Sequence, residues 1–195
     1  MIKILIAAVS IPITVVSYWF YFRDIFAGRT KPHAYTWLVW AVLTASAFAA
    51  QLHGHGGPGA YVTGLTALVS FIILGLAIWR GEKGITTSDK LSLGGALAAL
   101  LIWFFTSNPV LAIILISVID FLGFLPTIRK SYHKPYEETL ITYMLSGFKF
   151  VLAILALDTY TLVTWLYPAS LVAANLLFVV MLVVRRRQVA NLATL

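Results

Sequence analysis

Seven long apolar segments run through the chain, and no other feature of the sequence constrains the fold as strongly. Each is close to the ~20 residues that an α-helix needs to cross ~30 Å of hydrocarbon. The chain is 61% hydrophobic and 11% charged over 195 residues, more apolar surface than a water-soluble domain of this size could bury. The sequence therefore predicts one all-α integral membrane domain, residues 1–195, with seven transmembrane helices. We place these helices at 2–22, 35–52, 59–79, 90–106, 108–128, 138–157 and 160–184.

The basic residues indicate how these helices are oriented. A net charge of +7 would suggest a nucleic-acid partner for a soluble protein, but here the positive residues are confined to alternate connections. The connections near 53–58, 106–109 and 158–160 contain no Lys or Arg. Because cytoplasmic loops carry the excess of Lys and Arg, we expect the amino terminus outside and the carboxyl terminus in the cytoplasm. The basic residues after helices one, three, five and seven are Arg23, Arg29, Lys31, Arg80, Lys83, Lys90, Arg129, Lys130, Lys134, Arg185, Arg186 and Arg187.

The last three predicted helices resemble the first three. A three-helix unit leaves the chain on the opposite side of the membrane, so one further span is needed before a copy can have the same orientation. We therefore predict a 3+1+3 arrangement, in which two parallel repeats, 1–80 and 108–187, are joined by a linker helix at 90–106. One constant shift aligns Ile25, Lys31, Pro32, Thr36, Leu38 and Trp40 with Ile128, Lys134, Pro135, Thr139, Ile141 and Tyr143.

A motif near the end of helix five resembles the PQ-loop motif, in which Pro-Gln-Ile ends a helix and a basic turn leads to the next. It comprises Leu125-Pro126-Thr127-Ile128, then Tyr132-His133-Lys134, then Glu138-Thr139. The first repeat holds a weaker copy, with Arg23-Asp24-Ile25 in place of Pro-Gln-Ile, and Thr127 replaces the Gln in the second. On these residues the chain is similar to the PQ-loop and SWEET-like seven-helix membrane proteins.

This resemblance implies a membrane carrier that moves a small polar solute, such as a sugar or an amino acid, by alternating access. The lysosomal PQ-loop amino-acid transporters and the SWEET sugar transporters share the layout. The KDEL-receptor relatives share it too, so a cargo receptor that does not transport is the alternative. In SWEET-like proteins an asparagine of the seventh helix lines the pocket, which makes Asn175 the matching candidate here.

Two prolines are candidate hinges. Pro126 removes one backbone donor near the cytoplasmic end of helix five, where a bend would open or close the mouth of a pocket. The alternative is that Pro126 only ends that span. Pro12 lies nearer the middle of helix one, and Thr127 occupies the second position of the motif.

Asp120 and Lys149 are the ionisable residues that lie well inside predicted spans. Such residues are costly in hydrocarbon and usually face a partner or a cavity. Their similar depths allow two interpretations. Either they form a permanent ion pair between helices five and six, or Asp120 takes up a proton or a charged solute group and releases Lys149. Protons are therefore a candidate coupling ion.

Other polar and aromatic residues complete the candidate solute site. Under the repeat alignment Lys149 matches Ser46 and Asn175 matches Ser70, so polar side chains recur at similar depth in both halves. Trp40 and Tyr143 also match and could form aromatic walls. For Trp37 we favour the interfacial aromatic belt. Glu137 and Glu138 are expected to cap helix six.

The sequence offers no enzyme, metal or cofactor motif. There is no cysteine, and His53-Gly54-His55 lacks a nearby carboxylate, so we expect no metal site. The expected partners are a small solute and the lipid bilayer, and a homo-oligomer is as open as a monomer. Short loops and the lack of cysteine favour a multi-pass protein of a bacterial plasma (inner) membrane.

Overall fold

The computed structural model describes residues 2–105 and 108–192. Over this part of the chain the regular elements are all α-helices, which confirms the all-α prediction. Thr106, the last residue of the predicted linker helix, lies outside the described residues. The helices are α1 (Ile2–Phe26), α2 (Ala34–His53), α3 (Pro58–Arg80), α4 (Thr87–Phe105), α5 (Pro109–His133), α6 (Leu140–Leu155) and α7 (Leu162–Leu192).

Five of the described helices, α1, α2, α3, α5 and α7, are long and apolar enough to cross a membrane. Helix α6 is apolar but has 16 residues. This set of helices has the length and composition of a multi-pass all-α membrane protein.

Many polar side chains face inward, beside apolar ones, and large apolar side chains cover much of the outside, unlike the surface of a soluble bundle. In α1, Ser10, Thr14 and Ser17 are fully buried, whereas Ile2 and Trp19 are about two-thirds exposed. Lipid tails are as apolar as these outer residues, so burying apolar surface does not hold the helices together. Close packing and hydrogen bonds between helices must do so.

The helices of the first half and of the second half have equivalent neighbours. Helix α3 packs against α1 and α2, and α7 packs against α5 and α6. Between the halves, α1 packs against α6 and α2 against α5, while α3 contacts α6 and α2 contacts α7. Exchanging α1–α3 with α5–α7 therefore reproduces the same set of neighbours. Helix α4 packs against α5 and α2.

The two crossings between the halves are tight. Where α1 meets α6, the Ser17 hydroxyl donates to the Thr142 carbonyl at 3.0 Å and the Thr142 hydroxyl donates to the Ser17 carbonyl at 2.9 Å. Where α5 meets α2, a Cβ on Gly123 would lie 2.5 Å from Cγ1 of Val39. Hydroxyl and glycine residues thus allow the halves to approach closely.

Helix α5 continues through Pro126 to His133. The alternative that Pro126 ends the helix is therefore wrong, and the predicted boundary at 128 was too early. Pro126 is buried inside the helix, as is Thr127, whereas Pro12 lies in the interior of α1 on an exposed surface.

Candidate functional site

A cavity lies between the two halves. The space between its lining residues that protein atoms do not fill is about 460 Å³, part of it open to the outside. Because all unfilled space is counted, this volume is an upper bound on the size of a bound solute. The described residues that line it come from α1, α2, α3, α5, α6 and α7: Tyr18, Trp37, Trp40, Thr44, Thr66, Ser70, Asp120, Thr142, Tyr143, Ser146, Phe150, Leu171 and Asn175.

Five of the predicted site residues meet at this cavity: Asn175, Asp120, Trp40, Tyr143 and Ser70. The remaining two do not line it. Ser46 is half-buried, and its hydroxyl donates to the Val42 carbonyl of its own helix at 2.9 Å. Lys149 lies behind the lining.

Asp120 is held by a chain of hydroxyl groups. The Tyr167 hydroxyl donates to Oδ1 of Asp120 at 3.0 Å, and the Thr44 hydroxyl is 2.9 Å from that of Tyr167. Oδ2 of Asp120 has no hydrogen-bond partner among the described residues, although the side chain is only 3% exposed. One carboxylate oxygen therefore remains for a solute, a water molecule or a proton.

Lys149 is fully buried and bound to the first half of the chain. Its Nζ donates to Oγ1 of Thr66 at 2.9 Å and to the Tyr18 hydroxyl at 3.3 Å. The ammonium also lies 4.4 Å from the ring centroid of Tyr18 and 4.9 Å from that of Phe150, distances that allow cation–π attraction.

The predicted ion pair between Asp120 and Lys149 is not formed. Asp120 is hydrogen-bonded to α7, and Lys149 is hydrogen-bonded to α1 and α3. The helices that carry these residues, α5 and α6, each pack against α7. Their two side chains therefore meet different neighbours. Similar depth in the membrane did not bring the two side chains together.

Aromatic rings form much of the remaining wall. The centroids of Trp37 and Trp40 are 5.0 Å apart, and those of Trp40 and Phe124 are 4.9 Å apart. Trp37 is 4% exposed, so its assignment to the interfacial belt is wrong. Its Nε1 donates to the Tyr21 hydroxyl at 3.3 Å, whereas the buried Nε1 of Trp40 has no partner among the described residues.

A buried ion pair lies on the side of the cavity where the basic connections gather, and the sequence did not predict it. Lys130 pairs with Glu138, and their side chains are 4% and 1% exposed. The hydroxyls of Tyr143 and Tyr21 donate to Oε2 of Glu138 at 3.0 and 3.3 Å. Tyr143 thus joins the cavity wall to this pair. Glu138 does not cap α6, whose N-cap is Thr139.

The two copies of the motif bind each other. The Thr127 hydroxyl donates to that of Thr36 at 3.2 Å, and the Thr139 hydroxyl donates to Oδ2 of Asp24 at 2.9 Å. In the repeat alignment Asp24 matches Thr127 and Thr36 matches Thr139. In each half the residue at the second motif position therefore bonds to a motif threonine of the other half: Asp24 to Thr139, and Thr127 to Thr36.

A second buried pair anchors α4 outside the predicted spans. Nε2 of His33 is 3.2 Å from Oδ2 of Asp89, and Nη2 of Arg129 is also 3.2 Å from that oxygen. Burial lowers the pKa of His33 below its ordinary value, against the opposing effect of Asp89. Burial acts to raise the pKa of Asp89, but hydrogen bonds from Thr86 and the nearby cations outweigh it and leave this pKa below its ordinary value.

No protein-family model, no curated protein and no solved structure matches the chain. The function therefore has to be argued from the chemistry of the cavity and the arrangement of the helices around it.

Proposed function

We propose that the protein is a membrane carrier that moves a small polar solute by alternating access, as a PQ-loop/SWEET-like protein with seven spans. The observation that carries this proposal is the cavity, to which all six helices of the two halves contribute and which the buried carboxylate of Asp120 lines. Many secondary transporters that work by alternating access have their site at the interface of two repeats.

The proposed orientation has the amino terminus outside and the carboxyl terminus in the cytoplasm of a bacterial plasma membrane. Contacts between the basic connections support it, because they gather at one end of the bundle. Arg186 donates to the carbonyls of Pro135 and Glu138, and Lys134 lies 3.8 Å from Glu82. Lys3 lies at the start of α1 and Asp158 in the connection between α6 and α7. Their charged groups are 3.6 Å apart, and this pair belongs to the opposite end of the bundle.

In this proposal the ion pair of Lys130 and Glu138 and the hydrogen bonds between the two motif copies close the cytoplasmic end. Opening that end would separate Thr139 from Asp24 and Thr127 from Thr36. Pro126 lies one residue before Thr127, within a helix that is continuous. A bend at this proline would move Thr127 away from α2.

Asp120 is the proposed coupling residue. Uptake of a proton on its free oxygen would remove a negative charge from the cavity. We expect Asp120→Asn to abolish the pH dependence of uptake into proteoliposomes while the purified protein still folds. Unchanged pH dependence in this variant would exclude Asp120 as the coupling group.

The first experiment is a thermal-shift screen of detergent-purified protein against sugars, amino acids, amines, nucleosides and vitamins. A stabilising solute should lose its effect in Asn175→Ala, and the same solute should cross the membrane of proteoliposomes. Binding without flux would instead favour a receptor. If no small solute binds, the carrier proposal fails.

A further inference from the structure

The hydroxyl hydrogens of the cavity wall are largely used within the protein. Thr66, Ser70 and Thr142 each donate to a backbone carbonyl at 2.8–2.9 Å. Tyr143 donates to Glu138 at 3.0 Å. These residues can still accept hydrogen bonds through their oxygens, but they have no hydrogen left to donate to a solute.

The hydroxyl groups that lead to Asp120 also donate their hydrogens within the protein. Tyr167 donates to Oδ1 of Asp120, so the contact between Tyr167 and Thr44 must be a donation from Thr44. Asn175 donates to the Leu171 carbonyl at 2.8 Å, and its own Oδ1 has no partner among the described residues. The free polar atoms near Asp120 and Asn175 are thus mainly acceptors, and one belongs to a carboxylate.

Among the described residues that line the cavity, few donors remain and none of them is charged. They are Nε1 of Trp40, the second N–H of Asn175, the hydroxyl of Tyr18, which accepts from Lys149, and the hydroxyl of Ser146, which reaches Ser17 only at 3.5 Å. The ammonium of Lys149 is directed to Thr66 and Tyr18 instead. An anionic solute group would therefore lack a charged donor in the cavity wall.

Resting on the carrier function proposed above, we infer that the solute is a small amine with one positive charge. Its ammonium would pair with Oδ2 of Asp120 and donate to Oδ1 of Asn175. The rings of Trp40, Tyr143 and Phe150 would enclose its carbon skeleton, with their faces attracting the cation. A second positive charge is disfavoured because the Lys149 ammonium lies just behind Thr66.

Four probes that share one ring test this inference: cyclohexylamine, cyclohexanol, cyclohexanecarboxylate and the zwitterion 1-aminocyclohexanecarboxylate. Binding to detergent-purified protein is measured by calorimetry near neutral pH. We expect the amine to bind about 10- to 100-fold more tightly than the alcohol, the range of a charge-assisted hydrogen bond. Asp120→Asn should remove this preference, and Asp158→Asn, the same change at an exposed carboxylate, should keep it.

The possible results separate this inference from the carrier proposal. Equal binding of the amine and the alcohol, or tightest binding of the zwitterion or the carboxylate, would overturn the amine inference and leave a carrier of another solute class. A preference that persists in Asp120→Asn would place the amine elsewhere and also overturn it. If all four probes and the broad solute screen show no binding, both proposals fail. The comparison of probes on the unmodified protein decides the question even if Asp120→Asn does not fold.

Discussion

At the scale of single residues, the buried charges differ in whether they have an ion-pair partner. Lys130 and Glu138 neutralise each other with full hydrogen bonding. Asp120 and Lys149 are each stabilised by neutral groups and have no ion-pair partner among the described residues. A paired buried charge stabilises a particular arrangement, whereas an unpaired one in a cavity wall is poised to interact with a ligand.

Two adjacent glutamates should therefore differ sharply when they are neutralised. Glu138→Gln leaves Lys130 buried without a counter-ion, so we expect a loss of about 3–5 kcal/mol in the free energy of unfolding. Glu137 is partly exposed and lies 3.5 and 3.9 Å from Lys31 and Lys134, so Glu137→Gln should cost less than about 1 kcal/mol. Chemical denaturation in detergent micelles measures both values. Similar losses in the two variants would contradict this account.

The pair of His33 and Asp89 makes stability depend on pH in a predictable direction. Both groups have a folded-state pKa below the ordinary value. Each therefore contributes stability that is present above its ordinary pKa, about 6.5 for His and 3.9 for Asp, and is lost as the pH falls. Between about pH 7.5 and about pH 5.5 only the histidine contribution changes.

We expect the loss of this contribution to lower the thermal midpoint over this interval relative to that of His33→Gln, which cannot take up a proton at this position. The charged groups that face His33 are Asp89, Arg129 and Lys130. His133→Gln, at an exposed position of α5, is the matched control and should behave like the unmodified protein. An identical pH response in His33→Gln would refute the assignment.

At the scale of the helices, their existence was predictable and their partners were not. Apolar length alone indicates a span, because only a helix satisfies its own backbone in hydrocarbon. The ends of α5 and α7 were predicted too early because basic residues continue the helix beyond the apolar run, to His133 and Leu192. The pairing of Asp120 with Lys149 was wrong because depth along a helix carries no information about which helix lies alongside it.

The crossing of α5 over α2 can be tested with glycines. Gly123→Ala would place a methyl group 2.5 Å from Cγ1 of Val39, and we expect a loss of about 1–3 kcal/mol from overpacking. Gly75→Ala in α3 meets no atom within 4 Å and should raise stability by up to about 1 kcal/mol through helix propensity. The difference in unfolding free energy between the two variants is the measurement. Equal effects would mean that the crossing is not tight.

At the scale of the whole molecule, the arrangement of neighbours is the same for both halves, but the chemistry is not. The half that contains α5–α7 supplies the ionisable and amide side chains of the cavity, Asp120 and Asn175, and the first half supplies hydroxyls and tryptophans. The repeat was visible in the sequence as an alignment of motif residues. The sequence did not show that Tyr167 would bind Asp120 or that Thr66 and Tyr18 would bind Lys149, because aromatic and hydroxyl residues are also common as simple packing residues in membrane helices.

The proposed orientation is directly testable because the chain contains no cysteine. Single-cysteine variants Thr159→Cys and Gly84→Cys introduce a thiol in the α6–α7 and α3–α4 connections. With a membrane-impermeant maleimide, we expect Thr159→Cys to react in intact cells and Gly84→Cys to react only after the membrane is opened. The opposite pattern would show that the topology is inverted. Labelling of both variants in intact cells would exclude the proposed topology.

The reciprocal bonds of Asp24 with Thr139 and of Thr127 with Thr36 join the two halves at two equivalent places. Each bond joins one position of one copy to a different position of the other, so neither copy can change its pair of residues independently. A substitution at 24 should be accompanied by one at 139, and a substitution at 127 by one at 36. The two bonds also differ, since one accepts on a carboxylate and the other on a hydroxyl. A hydrogen bond to a carboxylate is stronger than one between two hydroxyls, so the seam at Asp24 and Thr139 should resist separation more than the seam at Thr127 and Thr36, and the two sides of the bundle should not open with equal ease.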